Sequence, residues 1–187
     1  MRIPLSWLAE HVALPGDGSP AALHAALVRV GFEEEAVHGG AVGGPVVVGE
    51  VLEFTPEPQK NGKTIRWCSV RVAPEGGVAA DGGADVRGIV CGASNFAVGD
   101  LVVVTLPGAV LPGPFAIAAR RTYGHVSDGM LASAKELGLG EGHDGILILG
   151  ELGELGVQAE VGADAIALLG LDDAAVEINV TPDRGYA

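Results

Sequence analysis

Apolar side chains near the N-terminus repeat every three to four residues, which predicts two short helices. Residues 5–12 place apolar side chains four apart, and Pro15-Gly16 ends this first amphipathic segment. The second helix begins after Ser19, a good capping residue, with Pro20 in the first helical position and Gly31 at its stop. One face of it is apolar and predicts core packing: Leu23, Leu27 and Val30.

The pattern changes in the middle of the chain to short β-rich apolar runs separated by turn residues. Residues 89–113 contain three such runs, cut by Gly, Asn-Phe, Gly-Asp and Pro-Gly. Residues 46–54 predict an earlier strand with Gly49 as a bulge or bend, and Asn61-Gly62 predicts a turn into an alternating strand. So many short strands favour a small curved barrel of the OB type over an open sheet.

Later segments add weaker elements. Phe115 to Gly124 predicts a last strand with Arg120 and Arg121 on opposite faces, and Ser133 with Glu136 matches a capping box that starts a short helix. Further predictions are a strand over residues 146–149, a helix ending at Gly170 and a strand over residues 175–180. The glycine-rich residues 76–85 predict a mobile surface loop without function. Glycine-rich junctions at residues 39–45 and 150–156 predict domain boundaries.

Composition limits the partners of the chain. Its 187 residues are 48% hydrophobic, enough for a core in one or two domains. The net charge of −13 should repel phosphate, so tight nucleic-acid binding begins at a disadvantage. Eight of the eleven basic side chains lie between residues 40 and 150. Any contact with a polyanion is therefore expected in this middle segment.

The sequence also indicates a compartment. Cys68 and Cys91 both lie in strand-like apolar runs, which favours buried reduced thiols over a disulfide. The N-terminus has no apolar stretch of signal-peptide length, and no run approaches the roughly 20 apolar residues of a membrane span. We expect a cytoplasmic protein without a membrane partner.

The chain shows no catalytic set and no metal-ligand spacing. Its five histidines lack the spacing of a zinc site, and neither a phosphate-binding Gly-x-x-x-x-Gly-Lys loop nor a Gly-x-Ser-x-Gly turn is present. His143-Asp144-Gly145 could form an acid/base pair, but a turn before the strand at Ile146 is favoured. Asn95 and the glycines at 88, 92, 99, 108 and 113 are likewise interpreted as turn residues.

Five basic residues are the candidate nucleic-acid site. They could converge on one barrel face and contact phosphates, as OB folds do with their strand 2–3 face; the alternative is an ordinary solvated strand edge. These residues are Lys60, Lys63, Arg66, Arg120 and Arg121. Aromatic platforms for base stacking are few, with Trp67, Phe96 and Tyr123 as candidates.

Several separated motifs occur in one order along the chain and resemble one family. They include Ile89-Val-Cys-Gly92, Leu106-Pro-Gly-Ala109, Leu111-Pro-Gly113 and Ser127-x-Gly129-Met-Leu131. Together with Arg2-Ile-Pro-Leu-Ser-Trp-Leu8 at the start and Val180-Thr-Pro-Asp-Arg184 near the end, they cover nearly the whole chain. The sequence resembles the N-terminal part of the bacterial phenylalanyl-tRNA synthetase beta subunit, with its embedded tRNA-binding domain of the Myf/EMAP type.

The resemblance implies a fold and a setting. The fold is α+β, with an OB-fold barrel over residues 40–150 inserted into a small mainly helical domain formed by residues 1–39 and 151–187. The implied enzyme is a cytoplasmic alpha-two beta-two heterotetramer that attaches phenylalanine to its tRNA using ATP and Mg²⁺. Aminoacylation lies in the alpha subunit and editing further along beta, so we expect this chain alone to do neither and to bind no cofactor. Its expected partners are tRNA, the alpha subunit and the remaining beta domains, without DNA.

Departures from the family pattern weaken the expected tRNA contact. Ala116, Ala118 and Ala119 stand where the family has long cations, and Glu57-Pro-Gln-Lys-Asn-Gly62 replaces its His-Pro-Asn-Ala-Asp loop. Two hypotheses remain, an auxiliary RNA-binding module and a structural module for assembly of the synthetase. A free-standing tRNA-binding or chaperone-like barrel is disfavoured by the flanking helical segments.

Overall fold

In the part of the chain that the structure describes, the regular structure consists of mostly short strands and three short α-helices. The computed structural model describes residues 1–140, 142, 144–150 and 158–180. In chain order the elements are β1 (Arg2–Pro4), α1 (Leu5–Ala9), α2 (Pro20–Arg29), β2 (Glu33–Gly39), β3 (Val46–Pro58), β4 (Thr64–Arg71), β5 (Val86–Cys91), β6 (Leu101–Thr105), β7 (Val110–Leu111), β8 (Phe115–Ala116), β9 (Arg120–Thr122), β10 (His125–Ser127), β11 (Met130–Leu131), α3 (Ala165–Leu169) and β12 (Ala174–Asn179). They form two units, Ala41–Gly170 and the combination of Met1–Gly40 with the chain from Leu171 onward.

The larger unit, called the barrel unit below, is built on a curled antiparallel sheet of five strands in the order β11-β6-β3-β4-β5. The long strand β3 pairs with β6 over its first residues and with β4 over the rest, and its register shifts between Val51 and Glu53. The bulge therefore lies between Val51 and Glu53 and not at Gly49, where the sequence predicts a bulge or bend. Gly49 itself is required by packing, because a Cβ there would come within 2.5 Å of a Val104 methyl.

The core of the barrel unit lies on the concave side of the curled sheet. Alternate residues of β5 point inward, with Ile89 and Cys91 buried, as expected for a period of two. The members of this apolar cluster include Val51, Val70, Ile89, Phe96, Val102, Val104 and Leu106. Both cysteines are buried, free thiols, as the sequence predicts.

Two small hairpins and a turn follow the curled sheet. β7 pairs with β8, and β9 pairs with β10 through a turn in which Tyr123 and Gly124 have φ of 50° and 88°. The single strand predicted over residues 115–124 is thus two strands, separated by the buried Ile117. Ser133 and Glu136 form the reciprocal bonds of a capping box, but the residues after them form turns instead of a helix.

The segment before Gly170 packs on the barrel unit. Val48 donates its backbone N–H to Ala163, and Gly162 donates to Val48. α3 is capped by the Asp164 side chain and ends at Gly170 with φ of 63°, which confirms the predicted helix end. Within residues 146–149, Ile148 forms an isolated bridge to Val102. The predicted strand is therefore reduced to this single bridge.

The smaller unit, called the terminal unit, contains a three-stranded antiparallel sheet in the order β1-β12-β2. Its core is the cluster of Leu5, Leu23, Val176 and Ile178, and the Ser19 side chain caps α2 as predicted. The prediction that Val30 also packs in the core is wrong, because Val30 is the C-cap after the last helical residue and is 53% exposed. The prediction of a mainly helical unit is wrong for the described residues, because residues Glu33–Gly39 form strand β2 and pair with β12. Its partner β12 lies far away in sequence, so local periodicity could not reveal the pairing. Within the described residues, no helix is long and apolar enough to cross a membrane.

Candidate nucleic-acid interface

Two of the five candidate cations lie in the turn between β3 and β4. The turn closes through bonds from the Gln59 N–H to the Lys63 carbonyl and from the Gly62 N–H to the Gln59 carbonyl, with φ of 79° at Gly62. The Asn61 side chain accepts the Lys63 N–H, as expected for an Asn-Gly turn. The Lys60 and Lys63 side chains are exposed, and no described residue pairs with their ammonium groups. They are therefore available to a ligand.

Arg66 lies on β4 but is held by the protein itself. Its guanidinium donates to the carbonyl oxygens of Phe96 at 2.6 Å and Ser94 at 3.1 Å. It also lies 4.2 Å from the Phe54 ring centre and 4.6 Å from that of Phe96. These contacts engage both terminal nitrogens of the guanidinium and place it against two aromatic rings. The geometry ties β4 to the loop after β5.

Arg120 and Arg121 lie on β9 and are both exposed. The Arg120 guanidinium lies 5.5 Å from the centre of the Phe115 ring, and neither arginine forms an ion pair with a described residue. Successive strand residues point to opposite faces, and a surface groove is lined by Arg120 and Thr122 but not by Arg121. This confirms the predicted opposite orientation of the two arginines.

His125 connects the two hairpins that carry the candidate cations, and sequence analysis missed it. Its ring stacks on Trp67 with centroids 4.3 Å apart and planes 12° apart. Its Nε2 lies 2.9 and 3.1 Å from the two carboxylate oxygens of Glu57. The β9–β10 hairpin is thereby fastened to the outer half of the β3–β4 hairpin. The two cation pairs thus belong to adjoining hairpins, although they are sixty residues apart in sequence.

The aromatic candidates have different environments. Phe96 is buried and packs edge-on against Phe54 at 5.4 Å, so it belongs to the core. Trp67 is half-buried beneath His125. Tyr123 is exposed at the tip of the β9–β10 turn. Only Tyr123 of these three offers an open ring face, while Phe115, which sequence analysis did not select, is 45% exposed.

A groove lies between the hairpins and the edge of the curled sheet. Its cavity volume is about 220 Å³, and we call it the Arg120 groove. The lining is Val90, Phe115, Ala116, Ile117, Ala118, Arg120, Thr122, Ser127, Gly129 and Met130. Ser127 is buried there, accepting the Val90 N–H and donating to the Gly129 carbonyl. Arg120 is the only ionisable side chain in this lining.

A buried ion network lies beside β5. The Arg87 side chain is only 5% exposed, and its guanidinium binds the carboxylates of Asp81 and Asp128 and the Ala84 carbonyl. The Asp85 carboxylate accepts the Gly76 N–H at 2.8 Å. These bonds hold the glycine-rich residues 76–85, which sequence analysis expected to be a mobile loop. Asp128 lies forty-one residues from Arg87, so no local pattern reveals its part in the network.

Several residues interpreted as turn chemistry have other roles. Gly88 lies within β5, where a Cβ would overlap the Trp67 indole. The Asn95 side chain both donates to the Ile146 carbonyl and accepts the Ile146 N–H. Gly99, Gly108 and Gly113 do have positive φ, as turns require. His143 lies outside the described residues, so its predicted turn is not assessed.

The cysteines and Glu177, which lie outside the candidate interface, have structural roles. Burial raises the pKa of the Cys68 thiol to about 12 and also raises that of Cys91, so neither is a reactive thiolate. In the terminal unit, the hydrogen bond from His38 and then the contact with Arg2 lower the pKa of Glu177. Among the described residues, no three His, Cys, Asp or Glu side chains converge as metal ligands would.

Comparison with known proteins gives one consistent family. No protein-family model matches the chain. It is 70% identical over 192 residues to the phenylalanine–tRNA ligase beta subunit of Leifsonia xyli, covering all of this chain and 22% of that protein. The same subunit from Bifidobacterium longum is 52% identical over 98% of the chain, and that from Thermobifida fusca 51% over all of it. The chain spans about a fifth of the length of these relatives.

Proposed function

The chain belongs to the family of bacterial phenylalanine–tRNA ligase beta subunits, and on this premise we propose that it is a non-catalytic, auxiliary tRNA-binding part of such a ligase. In this proposal the barrel unit is an OB-type tRNA-binding domain inserted into the terminal unit. The intact enzyme would be a cytoplasmic heterotetramer with alpha subunits that charges tRNA using ATP and Mg²⁺. Those substrates would bind elsewhere, since this sequence has no phosphate-binding loop.

One observation carries the tRNA-binding proposal. Four exposed cations without ion-pair partners among the described residues occupy two hairpins that the Glu57–His125–Trp67 contacts join. They are Lys60, Lys63, Arg120 and Arg121. Cations whose charge is not neutralised within the protein fit a polyanion, even where the molecule as a whole is acidic. Arg66 is left out, since its donors serve the Ser94 and Phe96 carbonyls.

A second candidate function is assembly of the synthetase. The terminal unit exposes large apolar side chains that its own core does not use: Met1, Trp7, Val12, Val28, Val30 and Val37. Trp7 is 53% exposed, with its ring edge-on to His11 at 5.1 Å. Exposed apolar surface of this kind is typical of protein contacts. In this case the cations of the barrel unit would not matter for tRNA.

The test is fluorescence anisotropy of labelled phenylalanine tRNA titrated with the whole chain at low and at physiological salt. We expect weak, saturable binding that falls steeply with salt. The Lys60→Ala/Lys63→Ala double variant should weaken binding severalfold and reduce the salt slope by about two units, because each phosphate contact releases about one counterion.

A matched control removes two cations from the terminal unit, as Arg2→Ala/Arg29→Ala. Both double variants change the net charge by the same amount. If only the overall charge of the molecule mattered, both would therefore weaken tRNA binding equally. Absence of binding by the unmodified chain at low salt would reject the tRNA-binding role and leave assembly as the working function.

A further inference from the structure

The Arg120 groove differs from its surroundings in charge and in lining. The chain carries a net charge of −13, yet the described residues that line the groove include no carboxylate, and the Arg120 guanidinium is the single ionisable group among them. Apart from Thr122 and Ser127, the other side chains of the lining are apolar and include Val90, Ile117 and Met130. A groove with these properties suits a ligand that combines an apolar planar part with a negative charge.

The groove also holds a planar platform. Arg120 lies over the Phe115 ring at 5.5 Å, so the guanidinium is braced on one face by an aromatic ring that is itself 45% exposed. Unpaired RNA bases stack on aromatic rings and on guanidinium planes, whereas paired bases are already stacked within the helix. The Ser127 hydroxyl is occupied by the Val90 N–H and the Gly129 carbonyl, which leaves the Thr122 hydroxyl as a polar group for a base edge.

From these features we infer that the Arg120 groove binds an unpaired nucleobase of RNA. The base stacks on the Phe115–Arg120 platform, and the charge of Arg120 meets the adjoining phosphate. This inference rests on the proposed tRNA-binding function and deepens it, because it assigns single-stranded RNA as the preferred form of the ligand. Arg121, on the opposite face of β9, then contributes only long-range charge.

Neighbouring arginines supply a matched pair of variants. Arg120→Gln and Arg121→Gln remove the same charge from adjacent exposed positions of β9. The whole chain is titrated against a short fluorescent single-stranded RNA and against the same strand annealed to its complement. We expect Arg120→Gln to weaken single-strand binding about tenfold, as loss of one stacked base would. Arg121→Gln should weaken it about twofold, as loss of a distant charge would.

Two further variants test the groove itself. Phe115→Ala removes the platform, and Ala118→Leu fills the groove from an exposed position; each should lower single-strand affinity at least fivefold. Val126→Thr, at an exposed site on β10 outside the lining, should change nothing. Thermal unfolding of each variant shows whether it is folded. Single-stranded RNA carrying 4-thiouridine should also crosslink to the peptides that contain Phe115 or Met130.

The outcomes separate this inference from the proposed function. Equal weakening by Arg120→Gln and Arg121→Gln, with the duplex binding as well as the single strand, would overturn the groove site while tRNA binding stands. No RNA binding at low salt would overturn both. If Arg120→Gln abolished binding of an acidic, apolar peptide and left RNA binding unchanged, the groove would be a protein-docking site and the inference would be wrong.

Discussion

At the scale of single residues, identical charges have different roles depending on what surrounds them. Lys63 and Arg66 lie three positions apart and look equivalent in the sequence, but Lys63 is exposed in a turn whereas the Arg66 guanidinium is enclosed by two phenyl rings and two carbonyls. Hydrogen bonds from charged groups and cation–π contacts stabilise folded proteins more than exposed charges do. Arg66 therefore contributes to stability, and Lys63 is free to contribute to binding.

Substitution of these two residues should have opposite effects. We expect Arg66→Met to lower the free energy of unfolding by about 2 kcal/mol, because two charged hydrogen bonds and the ring contacts are lost. Its tRNA affinity, measured on the folded fraction, should stay within about twofold. Lys63→Met should change stability by less than about 0.5 kcal/mol, as exposed substitutions usually do, and should weaken tRNA binding. Urea unfolding and anisotropy measure the two effects; an Arg66→Met protein of normal stability and reduced affinity would contradict this assignment.

At the scale of secondary-structure elements, the edge of the curled sheet depends on a buried arginine. Arg87 occupies an inward position of β5, where an apolar residue would normally lie, and its charge is matched by Asp81 from the preceding loop and Asp128 from the turn after β10. A buried cation that serves two segments fixes both of them relative to the strand. This explains how a loop rich in glycine is held in place.

Removal of the cation alone should be more harmful than removal of the whole network. Arg87→Met leaves two carboxylates without their cation, and breaking a buried ion pair in this way costs about 3–5 kcal/mol. We expect earlier urea unfolding and faster protease cleavage within residues 76–85. The triple variant Arg87→Met/Asp81→Asn/Asp128→Asn should recover much of the stability, because no uncompensated charge stays buried. Similar stability of the single and triple variants would show that the ion network is not what holds the loop.

At the scale of the whole molecule, charge is divided between the two units. The terminal unit holds three basic and nine acidic side chains, and the barrel unit holds the other eight basic and fifteen acidic side chains. The net negative charge that opposes tRNA binding is thus partly carried by a unit without any of the candidate contacts. Repulsion of this kind acts at long range and is screened by salt.

Excision of the barrel unit should separate these contributions. A protein consisting of Ala41–Gly170 should unfold cooperatively, because the members of its core cluster all lie within that range. It should bind tRNA more tightly than the whole chain at low salt, and the difference should disappear at high salt. Calorimetry and anisotropy at several salt concentrations measure this. Loss of cooperative unfolding would mean that the barrel unit is not independently stable.

The sequence by itself determined the elements that depend on neighbouring residues. Helix α2 with its Ser19 cap, the helix end at Gly170, the Asn61-Gly62 turn and the buried thiols follow from local periodicity and from capping and turn chemistry. These features need only a few adjacent positions, so their signals are complete in the chain. The order of the separated motifs along the chain also indicated the family, and the sequence identity to its members confirms it.

Features that join residues far apart in sequence were visible only in the folded protein. The pairing of β2 with β12, the ion network of Arg87, the stacking of His125 on Trp67 and the enclosure of Arg66 each join segments with no shared local pattern. The same holds for the candidate site: composition placed the cations in the middle of the chain, but packing determined which were free. Solvent exposure and partner geometry are properties of the folded chain, because a side chain's neighbours are set when distant segments pack together.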